Sequence, residues 1–356
     1  MKDFRVLFGV LDWGLGHATR SIPVIHQLLQ RGCQVRIATS GLAYELLKSH
    51  FPELVFYKIT PYGVRYARHG MFMMNIFWQL PRLLRVIWRE GREAKRICAR
   101  WPASVILSDC RYGFRAPGVM SVFITHQINF QMPLTLKWLQ PLVNLANRFL
   151  LGRFARIWVP DVPAGITGKL SAPGGLKPRV RYIGTLSRFK RRPPAEAPRY
   201  EVAAVLSGPE PQRSLLEKTI RRQLETLQLP AVLVRGLPAA RAYQQVGNLE
   251  IYNYLDGDEL LSVIGDARVV IARSGYSTVM DLMELGCHAV FVPTPGQTEQ
   301  LFLARQLMKQ GIAYSQKQSR FHLETALKQS RRFRGFAHAV VPTGLLSGAI
   351  DELLTA

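Results

Sequence analysis

The sequence predicts an α/β protein of two doubly wound domains, and three observations carry that expectation. The 356 residues exceed what one core organises comfortably, while 48% hydrophobic and 10% aromatic residues can fill two. Short β-branched runs recur along the chain, each followed by a glycine- or serine-bearing turn and a helical pattern, as in a parallel sheet. Between two such series, Gly184 to Arg199 (GTLSRFKRRPPAEAPR) has the prolines and charges of an interdomain linker. The expected boundaries are a first domain at 1–184, a linker at 185–199, a second domain at 200–343 and a returning helix at 344–356.

Phe4 to Leu11 reads as a buried strand; Asp3 and the immediate glycine loop disfavour a signal peptide. The loop Asp12 to Arg20 (DWGLGHATR) precedes a helix with its body at Ile22 to Gln30. Pro23 suits a first turn and Gly32 closes the end. Gly14 and Gly16 let a substrate approach the backbone, and His17, titrating near neutral pH, is a candidate base for an acceptor hydroxyl. Gln34 to Thr39 is the second strand. From Val64 to Trp101, Phe72, Phe77, Trp78 and Trp88 alternate with Arg82, Arg85 and further arginines. That pattern suits an interfacial helix on an anionic membrane, and Pro81 is expected to divide it in two. The competing reading is a core helix with a solvated basic face. Strands at Val105 to Leu107 and Val122 to Thr125 lead to Asp109, His126 and Asn129 at their carboxyl ends. Pro133 to Trp158 is aromatic and basic without a single acid, extending the expected membrane face. Val180 to Ile183 is the last strand of this half.

The second half opens with a strand at Val202 to Leu206, followed by Ser207 to Arg213. Ala231 to Val234 and Leu249 to Tyr252 are further strands, the latter leading to Leu255. The densest stretch runs from Val269 to Ala304. A strand ends at Arg273-Ser274-Gly275, and a helix with Val279, Leu282, Met283 and Leu285 on its apolar side stops at Gly286. A strand at Ala289 to Val292 then meets the polar cluster Gly296-Gln297-Thr298-Glu299-Gln300. Backbone N–H groups at a helix start, with the hydroxyls of Ser274, Ser277 and Thr278, make a seat for a phosphate. Asp281, within the same helix, can accept from sugar hydroxyls. A phosphate seat beside a hydroxyl acceptor points to a nucleotide.

Four cysteines (Cys33, Cys98, Cys110, Cys287) lie far apart, which argues against a zinc cluster or a disulfide framework and fits a reducing cytoplasm. No run of about 18 uncharged apolar residues suggests a spanning helix. The net charge of +23 is segregated: between Leu54 and Ala195 there are 24 Lys and Arg against four acids. Such a one-sided field points to an anionic partner. No nucleic-acid motif accompanies it, so a membrane surface is expected and nucleic acid is not.

The ordered set Arg273-Ser274-Gly275, Thr278, Asp281, Gly286, Pro293 and Glu299-Gln300 resembles the donor-binding half of family 28 glycosyltransferases. The similarity is to the MurG type of UDP-N-acetylglucosamine transferase. The His126-Gln127-Ile128-Asn129 segment resembles the H-E-Q-N segment of that type, with Gln127 in place of its glutamate. The resemblance implies a GT-B fold, with two doubly wound Rossmann-like domains facing a central cleft. It also implies a UDP-sugar donor, a lipid-linked or glycolipid acceptor, anomeric inversion and no metal or other cofactor. In its terms Ser274, Gly275, Ser277 and Thr278 grip the phosphates and Asp281 the ribose. Glu299 and Gln300 hold the sugar, Gln297 is a further donor-binding residue, and Leu255 lies against uracil. Arg273 serves the diphosphate; the prolines of Ser207 to Arg213 depart from the family's Gly- and Ser-rich loop, and Arg213 is the expected substitute there. His17 is the preferred base, with Asp109 and His126 as the other catalytic candidates, and Asn129 belongs to the acceptor loop with Gly14 and Gly16. The expected location is the cytoplasmic membrane face, peripherally bound. The loop G-x-G-H-x-x-R (Gly14 to Arg20) also resembles the UDP-sugar hydrolase of pseudaminic acid synthesis, which leaves hydrolysis as an alternative. A non-catalytic basic module binding lipid or nucleic acid is the remaining one.

Overall fold

The structure, a computed structural model, describes residues 4–64, 72–190, 197–237, 242–337 and 342–355, and the side chains of 72–77 lie outside that description. The chain forms two compact units. Of the described residues, the first holds 4–64, 73–186 and 342–355, and the second holds 187–190, 197–237 and 242–337.

In the first unit the apolar runs become β1 (Arg5–Val10), β2 (Gln34–Thr39), β3 (Val55–Lys58), β4 (Val105–Asp109), β5 (Met120–Ile124), β6 (Arg156–Val159) and β7 (Val180–Tyr182). They form a parallel sheet of order β3-β2-β1-β4-β5-β6-β7. Val6, Leu7, Phe8 and Val10 are all fully buried, because helices cover both faces of β1. The helices are α1 (Leu15–Gln30), α2 (Gly41–His50), α3 (Phe72–Arg100) and α4 (Gln140–Leu151). The sheet order reverses between β1 and β4, and ligands of open α/β sheets bind at the carboxyl ends beside such a switch.

Two expectations are corrected here. Helix α1 begins at Leu15 with Gly14 as its cap at φ 80, so His17 and Arg20 belong to its first turns rather than to a loop. Pro81 does not divide the basic segment. Helix α3 runs through it as one helix, held by a buried stripe of Val86, Glu90, Ala94 and Ile97 at helical spacing. The helix docks closely enough that a Cβ on Gly113 would lie 1.8 Å from the Ile87 carbonyl oxygen.

The second unit contains β8 (Tyr200–Val205), α5 (Gln212–Leu227), β9 (Ala231–Val234), β10 (Tyr243–Val246), β11 (Leu249–Tyr252), α6 (Gly257–Gly265), β12 (Ala267–Ala272), α7 (Tyr276–Leu285), β13 (Ala289–Phe291), α8 (Thr298–Lys309), β14 (Tyr314–Ser315) and α9 (Leu323–Ser330). Its sheet order is β10-β11-β9-β8-β12-β13-β14, parallel except for the β10–β11 hairpin. Asp256 and Glu259 start α6 with a reciprocal capping box, and Gly286 ends α7 in the left-handed region at φ 72. The final helix, α10 (Leu345–Leu354), belongs to the first unit, where Leu346, Ala349, Ile350 and Leu353 pack into its core. Arg31 donates to Asp351 at 2.6 Å beside that contact.

Candidate active site

In the first unit, four residues from three distant segments meet at the carboxyl ends of the adjacent strands β1, β4 and β5. His17 Nδ1 lies 3.2 Å from Asp109 Oδ2. Arg20, one helical turn beyond His17, donates from Nε to Asp109 Oδ2 at 3.0 Å and from Nη2 to Asp109 Oδ1. Its Nη1 lies 3.0 Å from His126 Nδ1. The sequence reading named His17, Asp109 and His126 but gave Arg20 no role in the site. With His17 and Arg20 read as loop, the signal was hidden, because residues three apart share a face only on a helix.

The electrostatics follow from burial. Burial lowers the His17 pKa, and the neighbouring Arg20 charge lowers it further, against the pull of Asp109. His17 is therefore neutral near pH 7, the state a general base needs. Burial alone would raise the Asp109 pKa, but Arg20 and His17 outweigh it and hold the carboxyl far below its ordinary value. Burial pushes the Cys110 thiol up to about 12, so it is no nucleophile. His17, Asp109 and Cys110 offer metal-ligand atoms within 4.8 Å of one another. Those three atoms converge on Arg20 Nη2, so a guanidinium nitrogen holds the position a cation would need.

Asn129 holds its loop in place. Its Nδ2 donates to the carbonyls of Lys169 and Ala172, and its Oδ1 accepts from Arg148 at 2.7 Å. The side chain anchors its own loop, the one expected to face the acceptor. Gly14 remains open: a Cβ there would meet nothing within 4 Å, though its positive φ favours glycine. Gly16 accepts from Thr19 Oγ1 in the first turn of α1.

In the second unit, the loops after β8, β12 and β13 come together where the sheet order reverses. Arg273 is fully buried and joins them, donating to the carbonyls of Val292 and Gln212. Burial lowers its pKa to about 10. Arg273 Nε and Thr294 Oγ1 are buried without a hydrogen-bond partner among the described residues. A Cβ on Gly208 would lie 3.5 Å from Thr294 Oγ1 and 3.9 Å from Arg273 Nε. Helix α7 starts at Gly275, which brings no side-chain cap, with Ser277 and Thr278 in its first turn.

Several side chains expected to touch the donor also hold contacts within the protein. Ser274 donates to the Gln300 carbonyl at 2.8 Å, tying the two halves of the motif together. Gln300 accepts from Thr294 N at 2.8 Å and donates to Gln297 Oε1, so it shapes the 294–297 turn. Arg213 is held by Glu210, Glu217 and the Arg235 carbonyl. These contacts turn polar atoms of Ser274, Gln300, Arg213 and Arg273 into the protein, while Arg273 Nε stays without a partner among the described residues. Leu255 is buried just beyond the end of β11. Asp281 accepts from Ser187 Oγ at 2.6 Å, and burial raises its pKa to about 6 despite that bond and the nearby Arg188. Glu299 is half-buried in the first turn of α8.

Residues 233–337 match the glycosyltransferase family 28 C-terminal domain. The UDP-N-acetylglucosamine–N-acetylmuramyl-(pentapeptide) pyrophosphoryl-undecaprenol N-acetylglucosamine transferase of Serratia proteamaculans is 27% identical over 325 residues, 87% of this chain and 84% of that one. This chain carries the family 28 glycosyltransferase C-terminal domain and is related to the MurG-type transferases. The GT-B fold agrees: MurG of Acinetobacter baumannii aligns with TM-score 0.61 and 16% identity over 99% of this chain and 100% of that one. The calicheamicin glycosyltransferase CalG4 aligns with TM-score 0.69 and 16% identity over 100% and 98%.

The surface of this glycosyltransferase carries apolar groups where solvent would ordinarily select polar ones. On α3, Trp78 is 83% exposed, and Leu80, Leu84 and Trp88 are also exposed beside Arg82, Arg85 and Arg89. Phe72 and Phe77 lie among the side chains outside the description. Leu134, Trp138, Leu142, Leu145 and Phe149 form a second exposed stripe along α4 and the turn before it, with Leu134 at 89%. No described helix is long and apolar enough to cross a membrane.

Proposed function

We propose that this glycosyltransferase moves N-acetylglucosamine or a related hexose from a UDP-sugar to a lipid-linked or glycolipid acceptor at the inner face of the cytoplasmic membrane. The observation that carries this reading is the part-buried His17–Asp109 pair at a sheet switch point, in a chain related to UDP-N-acetylglucosamine transferases. His17 Nε2 takes the proton of the acceptor hydroxyl, and the oxygen attacks the anomeric carbon. The bond from that carbon to the diphosphate breaks, UDP leaves, and the configuration inverts. Asp109 orients the imidazole and stabilises its charged form, as a carboxylate does for a catalytic histidine.

In the second unit the α7 amides, Gly275, Ser277 and Thr278 receive the diphosphate. Asp281 takes the ribose hydroxyls, Glu299 and Gln297 the sugar, and the backbone near Leu255 the base. Arg273 acts through its field: its hydrogen-bond partners are carbonyls, and a buried cation just before a helix start adds positive potential where the leaving diphosphate carries its charge. This leaves His17 and the helix dipole to do what a metal does elsewhere. The basic, apolar faces of α3 and α4 support the membrane placement through insertion and attraction to anionic headgroups.

A thermal-shift screen against UDP, GDP, dTDP and their sugars tests the donor. Ligand at about 100 times its Kd adds about 2.7 kcal/mol, a clear shift. UDP and one UDP-sugar should stabilise the protein, and radiolabel from that sugar should enter the lipid phase of a membrane extract. Free sugar appearing without any lipid product would favour the hydrolase reading instead. No response to any nucleotide would overturn the donor assignment.

A further inference from the structure

Arg20 is the most connected side chain of the first unit's cluster, and hydrogen counting gives it a specific task. Its Nη2 carries two hydrogens yet lies near three acceptors: Asp109 Oδ1, His17 Nδ1 at 2.9 Å and Cys110 Sγ at 3.3 Å. His17 Nδ1 also faces Asp109 Oδ2 at 3.2 Å. A donor and an acceptor thus contend for one ring nitrogen, and the winner fixes the tautomer. If Arg20 donates to Nδ1, the His17 proton sits on Nε2 and the outward nitrogen has no lone pair to offer. If Nδ1–H donates to Asp109, Nε2 is left able to take a proton.

The second arrangement accounts for more of the geometry. It gives the carboxylate a further N–H donor, and hydrogen bonds to an ionised acceptor are the stronger kind. The spare Nη2 hydrogen then goes to Cys110 Sγ, whose own S–H points to the Ile124 carbonyl at 3.4 Å, leaving the sulfur to accept. Cys110 is one of the few non-glycine residues at positive φ, 55°, in the turn that presents its sulfur to Arg20. Arg20 Nη1 reaches His126 Nδ1 at 3.0 Å, which assigns the His126 proton to Nε2. The charged or titratable groups facing His17 are therefore Arg20 from α1, Asp109 and Cys110 from the end of β4, and His126 from beyond β5.

We propose that Arg20 is a positioning residue: its fork on Asp109 and its bond to Cys110 hold His17 as the neutral Nδ1–H tautomer, with Nε2 ready to accept a proton. Its use in catalysis rests on the proposal that His17 is the base, but the tautomer is measurable without any substrate. The full chain, labelled with 15N-histidine, is titrated by long-range 1H–15N spectroscopy, and His17 is assigned from the resonances lost in His17→Gln. Near pH 7 the wild-type ring should show a protonated Nδ1 and an unprotonated Nε2. In Arg20→Met the cation is gone while Asp109 remains, and the His17 midpoint should rise by about one pH unit. Arg20→Lys keeps the charge without the fork, so the midpoint should stay low while the ring resonances move towards a tautomer average. A wild-type proton on Nε2 overturns the proposal even if neither variant folds. So do folded variants with unchanged His17 resonances. Turnover of His17→Ala tests the base reading separately: near-normal activity there would remove the base and leave the tautomer result standing.

Discussion

Donor affinity should depend on pH through Asp281. Burial raises this carboxyl to about 6 in the unliganded protein, opposed by the Ser187 hydrogen bond and by Arg188, and assisted by Glu284. A ribose hydroxyl donates to a carboxylate far better than to a carboxylic acid, so the ionised form is the binding form. With a pKa near 6, almost all of Asp281 is ionised at pH 7.5 and about one-tenth at pH 5. The apparent Kd should therefore weaken about tenfold over that range, or about 1.4 kcal/mol. The assay is calorimetric titration with a UDP-sugar rather than UDP, because the diphosphate diester does not itself titrate there. Asp281→Asn should bind more weakly at pH 7.5 and lose the pH dependence. Ser187→Ala removes a bond that favours the carboxylate, so its affinity should begin to fall at higher pH than wild type. A wild-type affinity flat between pH 5 and 7.5, or an equal slope in Asp281→Asn, would refute the ribose assignment.

Other consequences follow from single side chains. His17→Ala should cut turnover by about 10²- to 10⁴-fold with donor affinity unchanged, and near-normal activity would move the base elsewhere. Asp109→Asn leaves the Arg20 guanidinium buried without its carboxylate, which should cost about 3–5 kcal/mol in urea unfolding; a stability equal to wild type would deny the pair its structural weight. Burial pushes Glu90 to about 7, above its ordinary 4.5, so its stabilising contribution is present below pH 4.5 and lost as pH rises through 7. The loss is roughly 3 kcal/mol, and Glu90→Gln should gain on wild type by about that much between pH 4.5 and 8; parallel pH profiles of the urea midpoint would contradict it. Wild type should float with anionic liposomes at low salt, and Trp138→Ser with Phe149→Ser should bind several-fold more weakly, since both exposed side chains would insert. Equal flotation of the variant would take α4 out of the membrane face.

What the sequence disclosed depended on which atoms do the work. Strands buried on both faces leave unbroken apolar runs, so β1, β4, β5 and β12 could be found from the sequence, their ends within about two residues. The edge strand β10, Tyr-Gln-Gln-Val, is exposed except for Val246, which is partly buried against the core, and gave no such run. Pro81 looked like a helix breaker because local propensity favours a break. The buried stripe of Val86, Glu90, Ala94 and Ile97 supplies the tertiary contacts that propensity omits. At the sites the difficulty was direction. A serine, asparagine or arginine in a motif can turn its polar atoms towards a ligand or back into the protein, and residue type does not distinguish the two. Ser274, Asn129 and Arg213 turn inwards, so they fix the loops that other groups use. Arg20 is the opposite case. An arginine one turn after a histidine looks like part of a solvated helix face until Asp109 and His126, 89 and 106 residues away, close on it. A base needs its proton on the correct nitrogen, and here that depends on a side chain that need never touch a substrate.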